Sequence, residues 1–276
     1  MKKIFIIVTT LLLFFTLSGC GEKKISIGVP NDATNEARAL LLLDDLGFIV
    51  VDKTKGINIT KNDIIDSKNV KIVELSAEQL PVRLQDLDYA VINGNYALSG
   101  GVADKLIEGC VEASDSIAAQ TYGNIIAVQA GNEATDKTKA LISALKQDNI
   151  KQYINNTYNG LVLPRPTEDI ALEFANGNNT KIIVGASSTP HAEILEQAKA
   201  YLLERGYVLE IRVFTDYVMP NIALDEGSID ANYFQHLPYL ESFNESNDTN
   251  IVSVLNVHYE PLGLYSVRHT SINIEE

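Results

Sequence analysis

The sequence predicts an α/β protein built from two lobes, and three observations lead to this prediction. Short runs rich in Ile and Val, typical of buried strands, alternate with segments whose apolar residues recur at helical spacing. These strand runs fall both before and after about residue 120, which favours two sheets over one. The segment 161–180 has two Pro and then "NGNN", a composition typical of a connector that could hold one short helix.

The individual elements follow from the same patterns. The predicted strands are "ISIGV" (25–29), "VKIVEL" (70–75), "YAVIN" (89–93), "NIIAV" (124–128), "KIIVG" (181–185), "LEIRVF" (209–214) and "NIVSVLNV" (250–257). Helical spacing predicts helices at 138–154 and 190–205, and a third that starts at Thr34 or Asn35 and ends at Gly47. Because helices alternate with strands, we expect mostly parallel sheets.

The N-terminus has the pattern of an export signal. "MKK" precedes an uncharged apolar run, and "LSGC" follows at once, which resembles the bacterial lipobox. This resemblance implies a signal peptide at 1–19, lipid such as palmitate on Cys20, and a tether at 20–24. The protein would then be anchored to the cell membrane and face outside the cytoplasm. The alternative is an ordinary signal followed by an accidental Cys.

Charge and cysteine content exclude some classes of partner and bond. The formal net charge is −14, and removing the signal with its two Lys takes it to −16. Such a surface argues against nucleic acid and against electrostatic binding to anionic lipid, so the lipid itself would form the anchor. If Cys20 carries lipid, only Cys110 is left, and no intrachain disulfide can form.

Two segments place chemically useful side chains at the ends of predicted elements. Arg38 lies in the opening turn of a predicted helix, where an anion would meet both the guanidinium and the helix dipole. In "ANYFQHLPYL", Phe234, His236 and Tyr239 lie at a strand-to-helix corner, while Tyr233 points to the opposite face. Considered alone, Arg38 could be a solvated surface residue and the rings could belong to a core.

Several longer stretches resemble one family. They are "VPNDATNEARALLLL", "KIVELSAEQLPVRLQD", "YAVINGNYA", "STPHAEIL", "DYVMPNIALDEGSIDANYFQHLPYL" and "HYEPLGLYS". Together they are similar to the NlpA family of methionine-binding lipoproteins, the substrate-binding components of ABC importers. In that family, however, the part resembling 181–276 comes first and the part resembling 25–160 comes second. The sequence therefore resembles a circularly permuted member, with 161–180 joining the former ends.

The resemblance implies a periplasmic-binding-protein-like fold with a ligand cleft between two α/β lobes. One lobe would comprise 25–118, joined by the returning segment 266–276. The second would comprise 119–265, including the connector 161–180.

The resemblance also implies roles for single residues. Arg38 would bind the ligand carboxylate, and Tyr217, Phe234 and Tyr239 would enclose its side chain. Asn93, Asn124 and His236 would make polar contacts, and Glu260 would pair with the ammonium group or be a surface acid. We expect no catalytic residue, no metal and no cofactor, because the four His lack metal-site spacing and no nucleophile motif is present.

These features predict a lipid-anchored protein, not an enzyme, that captures D- or L-methionine and delivers it to a membrane ABC permease. Two alternatives stay open. The ligand could be a methionine-containing dipeptide or another amino acid. The protein could instead be a surface interaction lipoprotein whose cleft is vestigial.

Overall fold

The chain forms two mixed sheets and a short two-stranded ribbon. The computed structural model describes residues 24–113, 117–166 and 172–274. The predicted signal peptide and Cys20 lie outside the described residues. The fold is α/β and has two lobes with a cleft between them, which confirms the predicted fold class.

Sheet A has five strands and builds the first lobe. In spatial order they are β4 (Val70–Leu75), β1 (Ile25–Pro30), β5 (Tyr89–Ile92), β13 (Gly263–Tyr265) and β6 (Leu106–Val111). β1 runs parallel to β4 and β5, whereas β13 is antiparallel to β5 and β6. β2 (Val50–Val51) and β3 (Ile64–Asp66) form the separate ribbon.

Sheet B has six strands and builds the second lobe. In spatial order they are β10 (Tyr207–Phe214), β9 (Thr180–Ser187), β11 (Ala231–His236), β7 (Gly123–Gln129), β12 (Ile251–Tyr259) and β8 (Leu163–Pro164). The first three are parallel, but β7 is antiparallel to both β11 and β12. The prediction of mostly parallel sheets is therefore wrong: five of the nine strand pairs described in sheets A and B are antiparallel, because β7 and β8 in sheet B and β13 in sheet A run against their neighbours.

Ten α-helices are found in the described ranges. They are α1 (Ala33–Asp45), α2 (Leu80–Arg83), α3 (Gly94–Ser99), α4 (Ile117–Thr121), α5 (Asp136–Leu145), α6 (Asp148–Thr157), α7 (Glu193–Glu196), α8 (Lys199–Glu204), α9 (Met219–Asp225) and α10 (Leu237–Asn247). We call sheet A with α1–α3 lobe A, and sheet B with α5–α10 lobe B.

Helix boundaries differ from the predictions in three places. The helix predicted at 190–205 is interrupted, and its last part forms two short α-helices, α7 and α8. Asp32, not Thr34 or Asn35, caps α1, because its carboxylate accepts the Asn35 backbone N–H at 3.0 Å. The single helix predicted at 138–154 is two helices, since the chain turns extended at Gln147 and α6 starts from there.

The chain crosses between the lobes twice. It leaves sheet A after Val111 and joins sheet B at Gly123, and it returns between Tyr259 and Gly263. Residues 263–265, predicted to lie in the second lobe, therefore pair within sheet A. At the end of the described chain, Ile274 packs on the same hydrophobic cluster as Ile25.

Among the described residues, no helix has both the length and the apolar character needed to cross a membrane.

Candidate functional site

A small cavity of about 20 Å³ lies between the lobes, where β1, β5 and β11 end. Its lining comes from both lobes: Asn35, Arg38, Asn93, Gly94, Asn95, Asn124, Tyr217, Phe234, Gln235, His236, Tyr239 and Glu260. All eight residues proposed from the sequence are in this set, although their roles as ligand contacts stay predictions. Asn35, Gly94, Asn95 and Gln235 were not predicted.

Three aromatic rings form one wall of the cavity. Tyr217 lies 5.8 Å from Phe234 and 5.8 Å from Tyr239, measured between ring centroids, and Phe234 lies 6.0 Å from Tyr239. The Tyr239 hydroxyl donates to the Tyr217 carbonyl at 3.1 Å, which fixes the two rings relative to each other. Tyr233 points into the lobe B core, as strand alternation requires. The wall therefore offers apolar, polarizable faces from one lobe.

Arg38 lies on the lobe A side and is already paired. Its Nε donates to Glu112 at 2.7 Å, and its Nη2 donates both to Glu112 and, at 2.8 Å, to the Glu260 carbonyl. Burial by itself disfavours the charged guanidinium, but the adjacent Glu112 carboxylate keeps the pKa of Arg38 above its ordinary value. Within the described residues, Nη1 makes no hydrogen bond. No pattern in the sequence indicates Glu112 as this partner, because it lies 74 positions away.

The crossing segments hold Arg38 from two sides. Its guanidinium carbon lies 4.7 Å from the Tyr122 ring centre and 5.6 Å from the Tyr259 ring centre. Because these tyrosines belong to the first and the second crossing, Arg38 contacts both connections between the lobes.

His236 is neutral and its tautomer is defined. Its Nδ1 accepts the Tyr239 backbone N–H at 3.1 Å, so the ring proton is on Nε2, which lies 3.2 Å from Asn35 Oδ1. Burial, together with nearby Arg38, holds the pKa of His236 well below its ordinary value. This hydrogen bond joins lobe B to lobe A across the cleft.

Glu260 also joins the two lobes. One carboxylate oxygen faces His258 Nε2 at 2.7 Å in lobe B, and the other accepts the Asn95 backbone N–H at 2.6 Å in lobe A. Burial raises the pKa of Glu260, while nearby His191 acts in the opposite direction. Since both oxygens already accept hydrogen bonds, a ligand ammonium group would share them. The surface-acid alternative for Glu260 is wrong, because the residue is buried.

One side-chain group in the described part of the chain has the composition of a metal site. Nitrogen atoms of His191 and His258 and an oxygen of Glu260 lie within 4.8 Å of one another. These atoms are already used, however: His258 pairs with Glu260, and His191 Nε2 lies 2.9 Å from Asn124 Oδ1. We therefore interpret the group as a hydrogen-bonded cluster beneath the cavity, in which Asn124 is held by His191.

The family comparison covers most of the chain. The model of the NlpA lipoprotein family matches residues 22–165 and 182–274, as two separate segments. The chain is 46% identical over 99 residues to the methionine-binding lipoprotein MetQ of Bacillus subtilis, a match that spans 36% of each chain. It is 37% identical over 137 residues to the D-methionine-binding lipoprotein MetQ of Salmonella typhimurium, a match that spans 49% of each chain.

A solved structure is also similar. A lipoprotein from Ruminococcus gnavus shares 49% identity, with 52% of this chain and 60% of that chain covered and a TM-score of 0.49. The chain thus spans half or less of the two curated relatives above, whereas the family model matches well over half of it. The chain belongs to the NlpA lipoprotein family, whose members are substrate-binding lipoproteins.

Proposed function

We propose that this protein is the lipid-anchored binding component of an ABC importer and that it captures methionine. The observation that carries the proposal is the cavity between the lobes, with a guanidinium on one side and three aromatic rings on the other. A zwitterionic amino acid with a thioether side chain complements both ends, because a carboxylate suits Arg38 and sulfur suits aromatic faces. The names of the MetQ relatives agree with this ligand.

The mechanism is closure of the lobes, without chemical change to the ligand. Arg38 and Asn93 come from lobe A, whereas Phe234 and Tyr239 come from lobe B. A ligand that contacts both sets binds the closed arrangement more tightly than an open one and so shifts the population toward it. The closed, loaded protein would then deliver the ligand to a membrane permease.

The size of the cavity favours a single amino acid over a dipeptide. Only about 20 Å³ is free inside it in this arrangement of the lobes, so a dipeptide would force the lobes further apart than a single amino acid would. The intact set of lining residues also argues against a vestigial cleft.

Calorimetric titration of protein that was unfolded and refolded to remove carried-over ligand tests this function. We expect L- or D-methionine to bind at micromolar concentration or below, and leucine and a methionine-containing dipeptide to bind at least about tenfold more weakly. If no methionine binding is detected, the proposed ligand is wrong. Tighter binding of the dipeptide would favour that alternative.

Membrane attachment has its own test. We infer that Cys20 carries the lipid and that 20–24 is the tether, so Cys20→Ala should release the protein from the membrane fraction. Cys110→Ala is the matched control, because that buried thiol lies inside lobe A and should not affect attachment. A Cys20→Ala protein that stays with the membrane would contradict the lipobox interpretation.

We also propose that the two segments of this chain stand in circularly permuted order relative to other members of the family. The family model matches the chain in two separate parts, and both ends of the described chain pack in lobe A. Chain ends that lie close together at a surface are the condition under which permutation leaves a fold intact.

A further inference from the structure

Among the described residues, one fully buried side-chain atom of the cavity lining lacks a hydrogen bond, and it is an acceptor. Asn93 is only 7% exposed, and its Oδ1 is buried without a hydrogen bond. Its Nδ2 donates to Asn35 Oδ1 at 2.9 Å. A buried, unpaired acceptor is costly unless a donor from outside the chain reaches it. Because Asn93 lines the cavity, that donor would come from the ligand.

Asp32 sets the orientation of the Asn93 amide, and it does so through Asn35, which is hydrogen-bonded to both. The Asp32 carboxylate only accepts hydrogen bonds, and Asn35 Nδ2 lies 2.9 and 3.1 Å from its two oxygens. The Asn35 amide therefore cannot turn around, and its Oδ1 faces the cleft. There it meets two donors, Nδ2 of Asn93 and Nε2 of His236. Asn93 must thus use its NH₂ group on Asn35 and present its oxygen to the ligand.

Asp32 is itself held firmly in this orientation. It accepts the Asn35 backbone N–H at 3.0 Å as the cap of α1, and the Thr34 hydroxyl lies 3.2 Å from the same oxygen. All of these groups are donors, so the carboxylate cannot be replaced by an amide without a change in the direction of at least one hydrogen bond.

We propose that Asp32 is a positioning residue that makes the cavity selective for ligands with a protonated α-amino group. It does not contact the ligand; it acts through Asn35 on Asn93, whose oxygen then accepts from the ammonium. This inference rests on the proposed function, in that the ligand is an amino acid. A ligand without the amine leaves Asn93 Oδ1 unpaired and should bind at least about tenfold more weakly.

The test compares methionine with its deamino analogue, γ-(methylthio)butyrate, by calorimetry in the full protein. In Asp32→Asn, an Asn at the cap still accepts from the Asn35 backbone, but its NH₂ group now faces the Asn35 side chain. The second Asp32 oxygen, 3.1 Å from Asn35 Nδ2, becomes an NH₂ group, and this donor–donor contact favours a turned Asn35 amide. We then expect Asn93 to turn as well and to present its NH₂ group to the cavity. We expect the preference for methionine over the analogue to fall about tenfold or more, while affinity for the analogue changes by less than about threefold.

Two further variants make the result specific. Asp52→Asn is the matched control, because Asp52 caps the turn after β2, accepts from the Thr54 backbone N–H and does not line the cavity. The preference ratio, which is the affinity for methionine divided by the affinity for the analogue, should be the same in Asp52→Asn as in the wild type. Asp32→Ser keeps the helix cap and removes the carboxylate, and it replaces Asp32→Asn if that variant shows no cooperative melting. It should also lower the ratio.

The outcomes separate this inference from the proposed function. A wild-type preference ratio in both Asp32 variants would overturn the positioning role alone. Equal losses of affinity for both ligands would also overturn it, because a purely structural role weakens both alike. Absence of methionine binding by the wild type would overturn the proposed function, and the positioning role with it.

Discussion

At the scale of single residues, the ion pair between Arg38 and Glu112 changes what a mutation at Arg38 means. Arg38 is 4% exposed, so Arg38→Ala would leave the Glu112 carboxylate buried and uncompensated, which destabilises folds strongly. A loss of binding in that variant could then reflect the fold alone. The pair has to be removed as a unit.

The double variant Arg38→Met with Glu112→Gln does this. We expect it to fold and to bind methionine at least one hundred-fold more weakly, a loss of about 3 kcal/mol at about 1.4 kcal/mol per decade, because the ligand carboxylate loses its charged partner. The control is Glu112→Gln alone, which retains the guanidinium and should stay within about tenfold of the wild type. Wild-type affinity in the double variant would mean that the carboxylate binds elsewhere. Calorimetric titration measures both.

At the scale of elements, α3 of lobe A reaches across the cleft. The Tyr96 hydroxyl donates to the Thr215 carbonyl of lobe B at 3.1 Å, and the Tyr217 hydroxyl donates to Asn95 Oδ1 at 2.6 Å. Since these bonds join the lobes, they add to the stability of the closed arrangement. Tyr96 does not line the cavity, so its contribution does not depend on contact with the ligand.

Tyr96→Phe should therefore weaken ligand binding from outside the site. A net hydrogen bond contributes about 0.5–1.5 kcal/mol, which predicts a loss of about twofold to tenfold in methionine affinity. The control is Tyr207→Phe, whose hydroxyl donates to the Ala175 carbonyl at 2.9 Å within one lobe. Tyr207→Phe should lower the melting temperature about as much as Tyr96→Phe does, but it should leave the affinity for methionine unchanged. Equal affinities in the two variants would show that α3 does not affect closure.

The elements also indicate what the sequence can and cannot predict. Every predicted strand is found in the structure. Runs of Ile and Val bounded by turn residues indicate a buried strand from neighbouring residues alone. The rings of "ANYFQH" reach the cavity because strand alternation and the corner after His236 are local too. The partner of Arg38 was missed, since Glu112 is brought to it only by the pairing of sheet A. The role of Asn35 was missed because it depends on Asp32 and Asn93 together.

At the scale of the whole molecule, three buried histidines make stability depend on pH. Burial lowers the pKa of His191 and of His258 to about 3, and it lowers the pKa of His236 well below its ordinary value. Below pH 6.5 the unfolded chain therefore takes up protons that the folded protein does not, and the free energy of unfolding falls. Glu260 partly offsets this effect. Because its pKa is raised, Glu260 takes up a proton at a higher pH in the folded protein than in the unfolded chain.

We expect the free energy of unfolding to decrease by about 2–4 kcal/mol between pH 7.0 and pH 5.5, at about 1 kcal/mol for each histidine. Guanidinium chloride denaturation at the two pH values measures the difference. In His258→Gln the same difference should be smaller by about 1 kcal/mol, whatever the stability of that variant at pH 7.0. Equal or greater stability of the wild type at pH 5.5 would contradict this prediction.

Both ends of the described chain pack on lobe A, and this placement bears on the order of its segments. Ile25 opens β1, and Ile274 packs on the same cluster. Near the C-terminus, the Asn273 backbone N–H donates to the Tyr89 hydroxyl at 3.0 Å, and that hydroxyl donates to the Ser271 carbonyl at 2.9 Å. The last residues are thus held on lobe A by β5, the neighbour of β1.

A rearranged chain should therefore fold. It would run from 173 to 276, continue through a Gly/Ser linker of about six residues, which spans up to about 20 Å, and end with 25–166. We expect methionine affinity within about threefold of a protein that starts at residue 24, because the cut falls in the connector, far along the chain from every cavity residue. The control is a permuted chain whose new ends lie between Asn93 and Gly94. This cut separates β5 from α3 inside the site, so the control should not bind methionine. If the first chain also fails to fold or bind, the connector is not a former chain end, and the permutation is wrong.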